Sequence, residues 1–481
     1  MKMEYIIGLI LSLTSMSGCE DNEEAGTKKA TDGEVEVHIT SLDGSSLLRQ
    51  LPTKLNFSKE ALSGTLVEIS ETEQGPAIDG FGAALTGSSA YLMHNNEAAI
   101  KDLFSEEGIS LSYLRLTMGA SDFNKNGSYS YNDINEAEDL SLSQFSIAED
   151  KASDNPMIPV AQAILAANSE VSIMASPWTP PPWMKSSKSY IGGSLLKAYY
   201  GVYADYFIKY LQAYAAEGIP VGAITVQNEP LHEPKTYPGM KMSALEQADF
   251  IGNHLGPKLE AANLSTDIIA YDHNFYVEED PDYPITVLQD TKAGIYAKGV
   301  AYHAYGGAAS DIDLLLTQFP DAEIHFTEQS GIIGEQTSFK GEIVWFMENV
   351  FAPMLRRGAK SILLWNLALD ENNGPKNNGC QTCRGVITIT STKNIVKNPE
   401  YYLLGHFSRF VKPGAMRLKT ADFKGQFENI AFENSDGSKV LVLLNTSNAD
   451  DKQIQVNIGS GSFGYTLPAN SLVTLRWDTT L

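Results

Sequence analysis

Ala223-Ile224-Thr225-Val226-Gln227-Asn228-Glu229-Pro230 reads as an apolar strand that ends in an amide, a carboxylate and a proline. Its first residues are β-branched or small, as a buried strand requires. Pro230 has no backbone donor, so pairing stops there. Asn228 and Glu229 therefore stand where a buried strand meets its loop. The pattern returns at Glu323-Ile324-His325-Phe326-Thr327-Glu328-Gln329-Ser330, a second strand carrying a carboxylate near its end.

Between residues 79 and 369, eight apolar segments of this kind recur: 80–85, 111–118, 171–178, 223–229, 267–274, 299–305, 323–330 and 361–369. Most are separated by stretches long enough for a helix. Two helices are clear. Over 195–214, Tyr199, Tyr203, Tyr206, Tyr210 and Tyr214 recur at three- and four-residue spacing, and Gly218 follows as a stop. Over 342–357, Ile343, Met347, Val350, Met354 and Leu355 make a stripe that ends in Arg356, Arg357 and Gly358. Eight strands in a βα series predict an α/β fold, a (β/α)8 TIM barrel spanning 76–396. Such a barrel carries its site at the C-terminal strand ends, where Glu229 and Glu328 fall.

The ends of the chain read differently. Val35, Val37 and Ile39 alternate, and Leu66, Val67 and Ile69 follow. These strands, within 34–75, are too few to stand alone. Their expected partners are the strands after Tyr402, at 426–432, 439–445, 453–456 and 471–476. Together they predict an accessory β-sandwich, with a linker helix at 397–412 opening the C-terminal part, 397–481. At the front, Lys2, an apolar run from Tyr5 to Met16, and Ser17-Gly18-Cys19 resemble a bacterial lipoprotein signal. Cys19 is then the expected lipidation site, and the acidic stretch 20–33 a flexible tether. The protein is expected to be exported and held at the outer membrane or cell surface, otherwise periplasmic. Its only expected membrane contact is the lipid anchor.

The chain has 481 residues, 35 Lys plus Arg against 59 Asp plus Glu, and a net charge of −24. That balance argues against nucleic acid as a partner and is compatible with a neutral carbohydrate. There is no phosphate-cradling glycine loop and no dinucleotide signature, and no cofactor or metal is expected. Two carboxylates at strand ends suit glycoside hydrolysis, in which one protonates the leaving oxygen and the other acts as base or nucleophile. Their environments must hold the two pKa values apart.

Further motifs carry a family resemblance. Asp79-Gly80-Phe81-Gly82-Ala83-Ala84-Leu85-Thr86, Ala175-Ser176-Pro177-Trp178-Thr179-Pro180-Pro181-Pro182-Trp183, Thr225 to Pro230, Phe326-Thr327-Glu328-Gln329-Ser330-Gly331, Trp365-Asn366-Leu367-Ala368-Leu369-Asp370 and Tyr402-Leu403-Leu404-Gly405-His406-Phe407 follow one another in order. The series resembles glycoside hydrolase family 30, which includes glucosylceramidases and β-1,6-glucanases. The resemblance implies a retaining mechanism, with Glu229 as acid/base and Glu328 as the nucleophile. It places Asn228 on the sugar 2-hydroxyl, Arg115 beside the nucleophile, and Asp122, Trp178 and Trp365 around the sugar. His303 and Tyr305 close the set of substrate-binding residues, with Tyr305 able to hold the nucleophile. Asp272 is a weaker candidate, His273 reads as packing, and Glu233 as a loop residue.

Ala304 departs from the glucosylceramidase pattern, which has a bulky aromatic there. This argues against a ceramide leaving group. The loop Gly379-Cys380-Gln381-Thr382-Cys383-Arg384-Gly385 looks more like the β-1,6-glucanase branch. In an exported protein Cys380 and Cys383 are expected to pair. The expected substrates are β-glucosides, with β-1,6-linked glucan favoured. A glucosylceramidase-like or β-xylosidase-like activity is the alternative, and a non-catalytic glycan-binding lipoprotein the reading of another class.

Overall fold

A computed structural model describes residues 33–58, 63–135, 137–334, 337–459 and 461–478. The leader, Cys19 and the tether up to residue 32 lie outside the described residues. Eight parallel strands close into a barrel: Gly80–Leu85, Tyr113–Met118, Ser172–Pro177, Ala223–Thr225, Asp267–Asn274, Ala297–His303, Glu323–Glu328 and Ala359–Asn366. The eighth returns to the first, with Ser361 opposite Gly80. These strands are buried on both faces, which is why they read as apolar runs rather than alternating ones. Inside, Tyr113, Met174, Ala223, Ile269, Ala301 and Leu363 pack together as a plug below the catalytic end. Gly82 allows closure, since a methyl group there would overlap the Tyr113 carbonyl.

The expected fourth strand is shorter than its sequence suggests. It ends at Thr225. Asn228 and Glu229 still donate backbone hydrogen bonds, to Pro177 O and Asp272 O, both at 2.9 Å. Glu229, however, has a φ of 48°, in the left-handed region that a strand does not use. The chain thus turns out of the ladder while staying tied to both neighbours.

The tyrosine-rich helix runs Tyr200–Ala216 after one 3-10 turn, with Tyr203, Tyr206, Tyr210 and Tyr214 buried. Gly218, at φ 78°, ends it. The helix expected over 342–357 begins earlier, at Phe339, where Ser338 caps it, and has a π-type turn at Met347–Phe351. Pro353 explains the turn: it has no N–H, and its ring crowds the carbonyl four residues back. The same arrangement recurs at Ile251–Leu255, just before Pro257.

The remaining strands form the sandwich. Glu34–Ser41 pairs with Ser471–Trp477, so the two ends of the chain meet in one sheet. Thr65–Ala77 joins the layers. Its first half pairs with Lys452–Ile458 in parallel, and its second half with Met416–Lys419 antiparallel. Met416–Lys419 and Gly461–Leu467 are strands beyond those expected from sequence. Along Lys439–Asn445, Val440, Val442 and Leu444 join the barrel's hydrophobic core, while Leu441 and Leu443 join the sandwich core. The two-residue period of a strand thus serves two cores at once. The linking helix, Pro399–Ser408, is shorter than 397–412 and lies almost wholly buried between them.

Candidate active site

Arg115, fully buried on the second strand, organises the catalytic end. Its guanidinium donates to Glu328 Oε2 at 2.6 Å, Asn228 Oδ1 at 2.8 Å and Asp272 Oδ2 at 2.9 Å. One planar fork thereby ties the second strand to the fifth, the seventh and the turn after the fourth, a task suited to arginine and not to lysine. Asp272 is the second hub. It accepts from Thr225, Ser176 and Thr327 at 2.7, 2.8 and 2.7 Å, and pairs with His303 Nε2 at 3.0 Å. Burial would raise its pKa, but Arg115 and His303 outweigh that and hold it far below the usual carboxylate range.

His303 links this hub to Glu229. Its Nδ1 lies 3.2 Å from Glu229 Oε1. Burial disfavours the imidazolium, yet Glu328, Asp272 and Glu229 surround it and raise its pKa to about 9. Burial likewise pushes Glu229 up, and the His303 hydrogen bond overcomes it and holds the carboxylate at about 2. The acidic proton of this couple therefore rests on His303 in the free site. Glu328 is pushed up by burial and by Glu229, against His303 and Arg115. It accepts from Tyr305 Oη at 3.1 Å as well as from Arg115. One carboxylate oxygen of each glutamate and one His303 nitrogen all lie within 4.8 Å of one another.

The glutamates open into a cleft of about 570 Å³ lined by Asp122, Trp178, Asn228, His273, Tyr305 and Trp365, among others. Trp178 and Trp365 stack on each other at 5.1 Å between ring centroids. The Arg115 guanidinium lies 5.1 and 5.5 Å from their ring centroids. They line the cleft as one stacked pair. Asn228 faces the cleft with its amide nitrogen free of partners among the described residues. Asp122 is pushed well above the usual range by burial and by both glutamates, and its Oδ1 is buried without a partner. His303, expected to bind substrate, is 0% exposed and does not line the cleft; it reaches Glu229 from behind.

Cys380 and Cys383 form a disulfide on the cleft wall. Their loop rests on Asp122: Asn377 N donates to Asp122 O at 2.8 Å, and a Cβ on Gly379 would lie 2.5 Å from Asp122 Oδ2. Glu233 accepts from Gly193 N at 2.8 Å and shapes a neighbouring loop, away from the carboxylate pair.

Family comparison agrees with this geometry. The family model described as the glycosyl hydrolase family 30 TIM-barrel domain matches residues 78–411, and its β-sandwich domain matches 414–475. The chain belongs to glycosyl hydrolase family 30. Within the family, it is 33% identical to an endo-1,6-β-D-glucanase of Neurospora crassa, over 85% of this chain and 88% of that one. It is 27% identical to a putative glucosylceramidase of Caenorhabditis elegans, over 95% and 91%. A solved endo-β-1,6-glucanase superposes with a TM-score of 0.86 at 34% identity, covering 93% of this chain and all of the other.

Sequence reasoning undervalued Asp272 and passed over its hydroxyl donors. The signal was present only in part. Asp272 lies near the end of an apolar strand, as Glu229 does in the sequence, but Ser176, Thr225 and Thr327 are ordinary strand residues until closure points them inward. His273 read as packing, since nothing local marks the bulge beside it.

Proposed function

We propose that this family 30 glycoside hydrolase is a retaining, endo-acting β-glucanase that cleaves β-1,6-linked glucan. The carrying observation is the short separation of the two carboxylates. Retaining enzymes hold theirs at roughly 5–5.5 Å, inverting ones further apart to admit a water. Glu328 attacks the anomeric carbon and forms a glycosyl ester as the bond to the leaving oxygen breaks. Glu229 takes the proton held on His303 Nδ1 and gives it to that oxygen, which leaves Glu229 a carboxylate and His303 neutral. In the second step the Glu229 carboxylate accepts a proton from water and passes it back to His303, the water oxygen attacks the anomeric carbon, and Glu328 is released. The free amide of Asn228 is placed for the 2-hydroxyl, a contact that strengthens in the transition state.

The named activities of the 33–34% identical relatives support the β-1,6 linkage. Ala304 at the rim supports a sugar over ceramide as leaving group. The test is product analysis on pustulan, laminarin and glucosylceramide. Internal cleavage of pustulan is expected, together with loss of turnover on every substrate in Glu328→Gln. Release of glucose from glucosylceramide alone, or undiminished turnover in Glu328→Gln, overturns the reading.

The same reading has the enzyme exported and anchored through Cys19, supported by the small-residue motif Ser17-Gly18-Cys19 after an apolar run. Metabolic labelling with a palmitate analogue is expected to mark the wild type and to fail in Cys19→Ala. Equal labelling of both sinks the anchor.

A further inference from the structure

His273 follows Asp272 on the fifth strand and is 4% exposed. Its Nδ1 is buried without a partner, and no hydrogen bond among the described residues reaches the ring. Burial pushes its pKa down to about 4, so the imidazole is neutral at working pH, with one donor and one acceptor nitrogen. A buried polar atom that the fold leaves unsatisfied is costly. Nδ1 is walled in by the fold, so the ring nitrogen left open for a ligand is Nε2, which no described group bonds.

The backbone places this ring deliberately. Side chains alternate along a regular strand, so His273 would face the outer helices if Asp272 faces the barrel interior. The strand is not regular here. Tyr271 and Asp272 have φ values of 71° and 69°. Ala301 pairs with Tyr271 and Tyr302 with His273, so Asp272 is the bulged residue. Such a bulge re-aims the next side chain. His273 consequently lines the cleft beside Glu229, with Asn274, His232 and Tyr237. His232 Nε2 and Tyr237 Oη hold each other at 2.9 Å. This wall comes from the loop after the fourth strand and from the end of the fifth. Asp122, Trp178, Trp365 and the disulfide loop make the opposite one.

We propose that His273, with the His232–Tyr237 pair, forms the subsite that binds the leaving-group sugar, the imidazole hydrogen-bonding one of its hydroxyls. The assignment rests on the β-glucanase reading above and adds the ligand for a wall that reading leaves empty. Glu229 protonates the leaving oxygen, so the sugar attached to that oxygen lies against Glu229's own neighbours. A wall of imidazole, phenol and amide suits a neutral hexopyranose. An alkyl chain would leave the His273 imidazole unpaired, and a site built to bond hydroxyls rejects a ligand lacking them.

The experiment compares two substrates with the same glycone in His273→Ala. One is β-1,6-linked glucotriose, whose leaving group is a sugar. The other is 2,4-dinitrophenyl β-gentiobioside, whose leaving group has no hydroxyl to bond. The loss in kcat/KM is expected to be about tenfold greater for glucotriose than for the aryl glycoside, as for one lost hydrogen bond in the transition state. His273→Gln, which keeps a donor and an acceptor, is expected to regain part of the difference. Equal losses on both substrates, or none on either, overturn the subsite, and so does a Gln variant as selective in its defect as Ala. A wild-type enzyme that hydrolyses the aryl glycoside but leaves glucotriose and pustulan intact refutes the β-1,6 reading itself, and this assignment with it. That result is seen before any variant is made.

Discussion

Glu229 and Glu328 differ in what holds them, and the difference sets what each substitution does. Glu328 is gripped by Arg115 and Tyr305, and in the proposed mechanism it forms a bond to carbon. Glu229 has His303 as its main partner, and in the proposed mechanism it only moves a proton. Glu229→Gln is therefore expected to cost about 10²- to 10⁴-fold on glucan, the range for lost proton transfer. It is expected to cost far less in forming the glycosyl-enzyme from a dinitrophenyl glycoside, which needs no proton on departure. Added azide is expected to restore turnover and give a β-glycosyl azide, and an α-azide product would contradict the retaining mechanism. His303 makes a second residue-scale prediction. Its raised pKa means that the proton is present below about 9 and lost as pH rises through it. In wild type the alkaline limb of kcat/KM is expected to follow this group, and His303→Asn to lower activity and abolish that limb. An alkaline limb kept in place in His303→Asn would falsify the proton store. Both glutamates were legible from strand-end position. The role of His303 was not, because it depends on which residues lie behind it.

At the scale of elements, the loop after the second strand carries Asp122, and a buried carboxylate holds it down. Asp150 accepts hydrogen bonds from Tyr129, Tyr131 and Tyr214 at 2.5, 2.7 and 2.5 Å. Tyr131 in turn accepts from Gly119 N at 3.0 Å, three residues before Asp122. Burial raises the Asp150 pKa to about 6, despite the tyrosines. The folded state thus binds this proton more tightly than the unfolded chain does. The resulting stability is present below the unfolded value near 4 and lost as pH rises through 6, on the order of 3 kcal/mol. In Asp150→Asn, the fall in denaturation midpoint between pH 4 and 6 is expected to flatten relative to wild type. Parallel profiles for the two proteins would rule the linkage out. The tyrosine stripe of helix Tyr200–Ala216 was legible as a buried face. That one of its hydroxyls would meet Asp150 across the loop was not, since nothing local marks the pairing.

At the scale of the whole molecule, barrel and sandwich share buried residues. Val440, Val442 and Leu444 belong to the barrel's core, while their strand neighbours belong to the sandwich's. His406, on the linking helix, pairs with Thr474 and Thr40 at 2.8 Å each, one from either end of the chain. Thermal unfolding followed by circular dichroism is expected to show one transition, with activity lost at the same temperature. Val442→Asp is expected to lower that temperature for both parts together, by burying an unpaired charge in the shared layer. Two separated transitions in wild type would show that the parts are independent.

The sequence by itself determined the eight-strand series, the barrel's catalytic end and the two glutamates there, because apolar period and strand-end position are local properties of the chain. It also showed alternation at both ends of the chain, though not every strand of the sandwich. The tertiary structure alone decided the rest: that Arg115 and Asp272 bind the strands into one charge network, that the tryptophans stack on each other, and that a bulge turns His273 into the cleft. Each of these is fixed by closure of the barrel. Closure brings side chains from distant parts of the chain within hydrogen-bond distance and sets the burial that shifts their pKa values.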